Sequence, residues 1–502
     1  FLGAVHDFGS LFISLREGAK SVPTIARKTL GPTGYVLFIL FFLTMITLVT
    51  SAFLNASAAA LTSIYPLKDL RLAADQTLLR AAEMKLADGS AIVGGVIGGI
   101  ASTSVFVITA LAIPLGWLQR RQILRPVWIH LIGTVICVLS VVVGFYRPVA
   151  LSPAAWRWVL AIYTLVAAGL PLWLILQPRD VINVQILYAG MALLFASLLV
   201  GGTVNGLTMQ YPALSIDFGF EKIGMLWPFL FITVACGAIS GFHCMVSGGT
   251  TSRQLARESD ARRVAYNAML LESLLAILVI LTVASSISMA DYGEIVWSKS
   301  KPNPIFGFAL AAGNLFQSAL GIPLAIGCVF GILTVEGFIV TTLDMAVRLN
   351  RYLFEELWDI VFASKPPAVM KYYWFNAALS VGLMLLFAIK IRLDIGWLLF
   401  GTANQMVAAF ALIVISAWLL SHGRRFLYTL IPTIVMLVTT MAALLLEVFG
   451  NYPRSQMQQK PGLYLGSTIF LTVLAVGVIL VTVRTFLQRP QAAAAGEAAA
   501  QK

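Results

Sequence analysis

From Leu226 to Gln254 the chain reads L-W-P-F-L-F-I-T-V-A-C-G-A-I-S-G-F-H-C-M-V-S-G-G-T-T-S-R-Q. It begins as an apolar run typical of a membrane-spanning helix, and its character changes at Cys236. Small, hydroxyl and ionisable residues then precede the first charge: Gly237, Ser240, Gly241, His243, Ser247, Gly248, Gly249, Thr250 and Thr251. A broken helix that lines a polar cavity needs such residues, because its freed backbone groups must find water, a ligand or an ion. The stretch therefore predicts a broken helix that forms one wall of a transport site.

The composition of the whole chain indicates a helical membrane protein. Of its 502 residues, 59% are hydrophobic and 11% are charged, whereas a soluble domain has about 25% charged residues. The apolar residues come in runs of about twenty, the length of a membrane-crossing helix, and they lack the alternation of a barrel strand. We count about 13 such runs, which predicts an all-α, polytopic fold with about 13 transmembrane spans.

The chain divides into a membrane part and a tail. We expect residues 1–489 to form a single transmembrane domain and the Ala-rich residues 490–502 to be disordered. The first residues, from Phe1, read as the middle of a span, so we expect further spans upstream of this sequence.

The basic residues predict the orientation in the membrane. The net charge is +12, and most of the 34 Lys and Arg residues fall on one side when the loops are alternated. The positive-inside rule places that side, together with the C-terminus, in the cytoplasm. The positive charge is thus accounted for by topology, and we expect the lipid bilayer, not a nucleic acid, as the partner. The sequence leaves the oligomeric state open.

The sequence carries no signature of an enzyme or an ATP-driven pump. It lacks G-x-x-x-x-G-K-[ST], H-E-x-x-H and G-x-S-x-G, and its four cysteines form no C-x-x-C pair. We therefore expect a secondary transporter of a small molecule, without a cofactor and driven by an ion gradient. A membrane nutrient sensor or a channel without coupled transport is the alternative of another class.

Ionisable and amide side chains inside the spans are the candidate site residues, because each charge costs about 2.5–3.5 kcal/mol to insert. Buried residues of this kind either lock the packing of helices or serve a site, and both readings stay open. The candidates for substrate binding are Ser240, Gly241, His243, Asp7, Asp180, Asn404 and Gln405. The candidates for proton coupling are His243, Glu272 and Glu336.

Two local interpretations concern charged neighbours in the chain. Arg179 and Asp180 follow a predicted span at 156–176, where a plain cytoplasmic turn with an Arg–Asp pair is the simpler reading. Asp344 is expected to pair with Arg348, one helical turn further on.

Three hydroxyl residues form a tentative sodium site. The side chains of Ser247, Thr250 and Thr251, together with freed carbonyl groups, supply the oxygen ligands that a hard cation prefers. The alternative is capping of a helix end where the span meets the cytoplasm. The coupling ion, Na⁺ or H⁺, therefore stays open.

Several motifs follow one another along nearly the whole chain: Gly3-Ala4-Val5-His6-Asp7-Phe8, Pro178-Arg179-Asp180, Pro228 to Thr233, Ala235 to His243, Ser247, Gly249-Thr250-Thr251, Glu272, Phe400-Gly401 and Ala403-Asn404-Gln405-Met406. In these motifs and their order the chain resembles the carbon starvation protein A family of bacterial inner-membrane transporters. It departs from the family at His6, where Gln is usual, and at Gly248, where Ser is usual.

The resemblance implies import of peptides during carbon starvation, with pyruvate as the alternative substrate. It also implies distant kinship with LeuT-like transporters, which have two inverted five-helix repeats and a broken first helix in each. In that mapping the span at 156–180 begins the second repeat, and Ser247, Thr250 and Thr251 lie where related transporters hold sodium. The family's Gly/Pro-rich first helix would lie upstream of Phe1.

Overall fold

The computed structural model describes residues 2–70, 79–85, 91–234, 237, 239–298, 302–450 and 462–500. Helices make up most of these residues. The α-helices are α1 (Leu2–Arg16), α2 (Val22–Leu61), α3 (Ile97–Arg120), α4 (Pro126–Tyr146), α5 (Pro153–Gly169), α6 (Leu176–Thr203), α7 (Ile216–Ile223), α8 (Leu226–Val234), α9 (Gly241–Gly249), α10 (Ala268–Ser286), α11 (Met289–Val296), α12 (Pro304–Leu320), α13 (Leu324–Val361), α14 (Ala368–Lys371), α15 (Tyr373–Lys390), α16 (Leu393–Ser421), α17 (Leu427–Phe449) and α18 (Gly462–Ala500).

Short elements of other kinds complete the fold. The segment between α9 and α10 contains 3₁₀ turns at Thr251–Arg253 and Glu258–Asp260 and a π-helix at Arg262–Asn267. The strands are β1 (Ile64–Pro66), β2 (Ala81–Lys85) and β3 (Ala91–Val96), in an antiparallel sheet of order β1-β3-β2. Ile64 lies opposite Val96, and Ala81 lies opposite Gly95.

The chain is a multi-pass membrane protein. Within the described ranges, ten helices are long and apolar enough to cross a membrane. Three further predicted spans are short or interrupted: the first corresponds to α1 with 15 residues, another to α5 with 17, and the third to the separate helices α8 and α9 with nine each. The all-helical class is confirmed, and the count of 13 spans and the LeuT-like repeat stay predictions.

The small sheet is the one departure from the all-α class that the sequence predicted. Gly95 lies in β3, where a Cβ would come within 2.7 Å of the Leu79 side chain, so its lack of a side chain lets a leucine cover the strand. Gly98, in the first turn of α3, approaches the backbone of α2: a Cβ there would lie 2.5 Å from the Ala60 carbonyl oxygen. Both glycines therefore serve close packing, one in a strand and the other at a helix start.

The chain forms two compact units, and the expected single domain over 1–489 stays a prediction. Unit 1 comprises Phe1–Val49, Ser215–Leu274 and Leu349–Lys502, and unit 2 comprises Thr50–Leu214 and Leu275–Arg348. The last helix, α18, is described as far as Ala500, and the expected disorder of residues 490–502 stays a prediction. Alanine has the highest helix propensity, so an Ala-rich segment readily continues a preceding helix.

Each unit is built around one helix. In unit 1, the apolar part of α16 is entirely buried, and α16 packs against α1, α8, α9, α17 and α18. In unit 2, α6 packs against α3, α4 and α12. Asn183 of α6 donates hydrogen bonds to the Gly337 carbonyl at 3.0 Å and to the Thr341 hydroxyl at 3.1 Å, which joins α6 to α13.

Candidate functional site: an interrupted helix and two buried charge clusters

The stretch around which the sequence analysis was built is interrupted in the structure. Helix α8 ends at Val234 and α9 begins at Gly241, with Ser240 in an extended conformation (φ −125°, ψ 122°). Ser240 makes no side-chain cap on α9, so the backbone groups at the interruption depend on other residues. The broken helix that the polar residues predicted is therefore present; Cys236 lies outside the described residues.

Two neighbouring amides of α16 hold the two sides of the interruption. Oδ1 of Asn404 accepts hydrogen bonds from the backbone N–H of Phe242 at 2.9 Å and from the Ser240 hydroxyl at 3.3 Å. Nε2 of Gln405 donates to the Phe231 carbonyl, near the end of α8, at 2.6 Å. Each amide thus satisfies a backbone group that a continuous helix would have satisfied itself. Of the two roles left open for these residues, the contacts support the structural one.

Glycines let α16 approach both pieces of the interrupted helix. A side chain at Gly241 would overlap the Asn404 carbonyl oxygen and the Val407 side chain. A Cβ at Gly401 would lie 2.6 Å from the Ile232 carbonyl oxygen of α8. Close backbone approach of this kind requires residues without side chains. Gly241 therefore has a packing role in addition to the substrate contact that we predicted for it.

Asp7, His243 and Glu272, three candidates from distant parts of the chain, lie together in unit 1. Nδ1 of His243 is 2.9 Å from Oδ2 of Asp7, and Nε2 of the same ring is 3.8 Å from Oε2 of Glu272. His6 reaches the other oxygen of Asp7, with Nδ1 2.8 Å from Oδ1. The Asp7 side chain is 10% exposed, whereas the His243 side chain is 27% and that of Glu272 35% exposed. The imidazole of His243 therefore lies between a buried carboxylate and a more accessible one.

The tentative sodium ligands lie along the end of α9. The Ser247 hydroxyl donates to the Cys244 carbonyl at 3.1 Å, Thr250 ends α9, and Thr251 opens the next 3₁₀ turn. These positions are compatible with the capping alternative as well as with ion binding, so the sodium site stays a prediction. Among the residues that the structure describes, no group of three or more His, Cys, Asp or Glu side chains could hold a metal ion.

Unit 2 contains a charge cluster whose arrangement the sequence analysis missed. Arg179, expected in a cytoplasmic turn, lies in α6 and is 1% exposed. Its Nη1 atom is 3.0 Å from Oδ2 of Asp344 and also donates to the Tyr163 hydroxyl, which in turn donates to Asp344 at 2.6 Å. In the sequence, an arginine next to the start of a helix resembles a loop residue. Only the contact with Asp344 of α13 shows that Arg179 is a buried residue of a charge cluster. Asp180 is next to it in α6 but is exposed.

The predicted pair of Asp344 with Arg348 is wrong, because both residues have other partners. Asp344 is held by Arg179 and Tyr163. Nη2 of Arg348 instead donates to the carbonyl oxygens of Ala167 at 2.9 Å and Leu170 at 2.5 Å. These carbonyls belong to the C-terminal end of α5, where freed acceptors and the helix dipole both favour a cation.

Two glutamates are fully buried. Glu336, a proton-coupling candidate, accepts a hydrogen bond from the Ser57 hydroxyl at 3.1 Å. Glu447, which the sequence analysis did not select, accepts hydrogen bonds from the hydroxyls of Thr402 at 2.7 Å and Tyr464 at 3.1 Å. The sequence contained a signal for Glu447, because it is an acid within an apolar run, at 426–448. A buried carboxylate is costly unless it has hydrogen-bond partners, so such a residue needs a structural or functional reason.

The fold thus defines a polytopic helical membrane protein with an interrupted helix and ionisable clusters inside it. The model of the family "Carbon starvation protein CstA" matches residues 1–301 and 288–443. The chain belongs to this family, as its motifs indicated.

Curated relatives are named as transporters. Peptide transporter CstA of Bacillus subtilis is 28% identical over 482 residues, covering 87% of this chain and 73% of that protein. Peptide transporter CstA of Escherichia coli is 27% identical over an alignment of 575 residues, covering 97% and 77%. Pyruvate/proton symporter BtsT of Escherichia coli is 30% identical over 368 residues, covering 59% and 51%. Among solved structures, a mutant Eremococcus coleocola manganese transporter covers 97% of this chain and 95% of its own at 12% identity and a TM-score of 0.40, too low to support an argument.

Proposed function

We propose that this chain is a secondary active transporter that imports peptides across the bacterial inner membrane and is driven by protons. The observation that carries the choice of ion is His243, whose two ring nitrogens face the carboxylates of Asp7 and Glu272 at 2.9 and 3.8 Å. Peptide import is supported by the relatives named peptide transporter CstA.

The chemistry of this cluster suits a proton carrier. An imidazole can take a proton on one nitrogen and release one from the other, and its charge changes near physiological pH. Asp7 stabilises the protonated ring, and Glu272 lies next to the second ring nitrogen, at the more exposed end of the cluster. Ionisable chains of Asp, Glu and His within a membrane protein are typical of proton relays. His243 and Glu272 are therefore assigned to proton transfer and Asp7 to holding the charge.

Two features of the proposal follow from the sequence and the relatives. The positive-inside rule puts the C-terminus in the cytoplasm. The proposed transport leaves the substrate chemically unchanged, so we assign the chain the role of a transporter and not of an enzyme. Pyruvate is the second candidate substrate, because a relative with 30% identity is named pyruvate/proton symporter BtsT.

Uptake by purified protein in proteoliposomes tests the proposal. Labelled alanyl-alanine and labelled pyruvate are supplied with an inward proton gradient, an inward sodium gradient, or neither. We expect peptide to accumulate with the proton gradient, and not with the sodium gradient or without a gradient. If accumulation instead follows the sodium gradient and is lost in Thr250→Ala, the coupling centre is the hydroxyl group set of Ser247, Thr250 and Thr251 and not His243. No uptake of either substrate under any gradient would contradict transport itself.

A further inference from the structure

The buried cluster around Arg179 has hydrogen-bonding capacity left over on three side chains. Among the described residues, one buried atom on each of these side chains has no hydrogen-bond partner: Nη2 of Arg179, Oδ1 of Asp344 and Oε1 of Glu336. Arg179 and Asp344 are each 1% exposed and Glu336 is fully buried. Leaving such a group unsatisfied costs about 1–3 kcal/mol, and more for charged groups, so three together in one cluster need an explanation.

The three side chains form one electrostatic group. Arg179 is bonded to Asp344 through Nη1 at 3.0 Å. Glu336 lies about two turns before Asp344 on α13, within reach of the charge of Arg179. Arg179 and Asp344 are each already fixed from one side, by the hydroxyl of Tyr163, and Glu336 is fixed by Ser57. The unsatisfied atoms are therefore the opposite edges of side chains whose orientation is set.

We propose that this cluster binds the charged ends of a zwitterionic substrate, with Arg179 binding its carboxylate and Asp344 and Glu336 binding its ammonium group. The proposal rests on the proposed function in that the ligand is the transported peptide. The free guanidinium nitrogen is a charged donor, and the two free carboxylate oxygens are acceptors. A molecule with one carboxylate and one ammonium satisfies both kinds of group at once.

The free donor and the free acceptors favour a zwitterion over a simple anion. The guanidinium of Arg179 is already paired with Asp344, and one donor atom and two acceptor atoms of the cluster have no partner. A monoanion such as pyruvate would occupy the donor and leave both carboxyl oxygens unpaired, which is costly in a buried site. A zwitterionic peptide occupies the donor and the acceptors together. The cluster thus selects for peptides with free termini, or for amino acids, over pyruvate.

Binding to the purified full chain in detergent tests the inference without a gradient. The probes are alanyl-alanine, N-acetyl-alanyl-alanine, alanyl-alanine amide and pyruvate, measured by calorimetry. We expect removal of either terminal charge to weaken binding by about tenfold or more, because each charged hydrogen bond contributes at least that much. Equal binding of the free and the N-acetylated dipeptide, or tighter binding of pyruvate, would overturn the assignment.

Variants connect this selectivity to the cluster. Arg179→Lys keeps the charge but loses the fork of donors, and we expect it to weaken alanyl-alanine about tenfold. Glu336→Gln, nearly identical in shape, should weaken alanyl-alanine but leave the weak binding of the N-acetylated form unchanged. Arg348→Lys is the matched control, a buried arginine of the same unit that bonds backbone carbonyls, and should bind all four probes as the unaltered chain does. Unchanged affinities in folded Glu336→Gln would mean that water satisfies the free atoms and that the cluster is structural.

The binding test and the test of the proposed function can fail separately. If the chain binds free dipeptides through Arg179 but shows no proton-driven uptake, the binding site is supported and proton coupling is contradicted. If the chain accumulates peptide under a proton gradient but its affinity and selectivity do not depend on Arg179 and Glu336, the proposed function is supported and the binding site is contradicted.

Discussion

Oδ1 of Asn404 accepts a hydrogen bond from the backbone N–H of Phe242 at 2.9 Å, so that a side chain of α16 caps the first turn of α9. The next residue, Gln405, donates to the Phe231 carbonyl of α8 at 2.6 Å. One helix therefore holds both ends of the interruption with two consecutive residues. Within a membrane, where water is absent, such bonds from a neighbouring helix satisfy backbone groups that an interruption leaves open.

Loss of the Asn404 cap should destabilise the protein. We expect Asn404→Leu to lower the free energy of unfolding by about 1 kcal/mol, the usual contribution of a helix N-cap. Thermal unfolding in detergent measures this change. Asn404→Asp, which burial keeps protonated and uncharged, retains a carbonyl oxygen at the same place and should recover much of the loss. Equal destabilisation by both substitutions would mean that the bond to Phe242 is not the stabilising interaction.

The close approach of α9 and α16 predicts a steric effect at one glycine only. Gly241→Ala adds a methyl group that overlaps the backbone of Asn404, and overpacking of this kind costs about 1–3 kcal/mol. Gly248, on the same helix, is the control, because a Cβ there lies at least 3.4 Å from its neighbours. Melting temperature and yield of folded protein should fall for Gly241→Ala and stay unchanged for Gly248→Ala.

Removal of the charge of Asp7 should uncouple transport from protons. In Asp7→Asn the His243 ring loses its stabilising carboxylate, so we expect complete loss of proton-driven accumulation while exchange of labelled for unlabelled peptide continues. Proteoliposome uptake and counterflow, measured side by side, distinguish the two activities. His6→Gln should retain accumulation, since the amide can donate to Oδ1 of Asp7 as the ring does. Proton-driven accumulation by Asp7→Asn would exclude this cluster from coupling.

A surface ion pair predicts a pH dependence of stability. The Lys28 ammonium, 2.5 Å from Oε2 of Glu17, and the Trp418 indole, which donates to Oε1 at 2.9 Å, lower the pKa of Glu17 below its usual 4.5. A carboxyl group whose pKa is lowered in the folded state stabilises that state above its ordinary pKa, and this contribution is lost as the pH falls through the lowered value. Glu17→Gln should therefore melt below the unaltered chain at pH 7, and the difference should shrink as the pH falls below 4.5. A difference that is constant with pH would assign the effect to packing.

Most residues of the candidate site could be predicted individually from the sequence, but the contacts between them could not. Asp7, His243 and Glu272 were selected because each is a costly residue in an apolar run. Nothing local indicates that they meet, since Asp7 and His243 are 236 positions apart. Arg179 shows the converse: its local pattern indicated a turn, and the acid that binds it lies 165 positions away.

The residue pattern alone predicted that the chain is helical, crosses a membrane repeatedly, belongs to a family of transporters and has an interrupted helix between Leu226 and Gln254. Those properties depend on composition and on neighbours in the chain, which a linear pattern contains. The packing of the helices was needed to show that α16 supports the interruption, that Asp344 binds Arg179 and not Arg348, and that His243 lies between two acids. Such pairings depend on which helix faces meet, and this is set by packing over the whole of each unit.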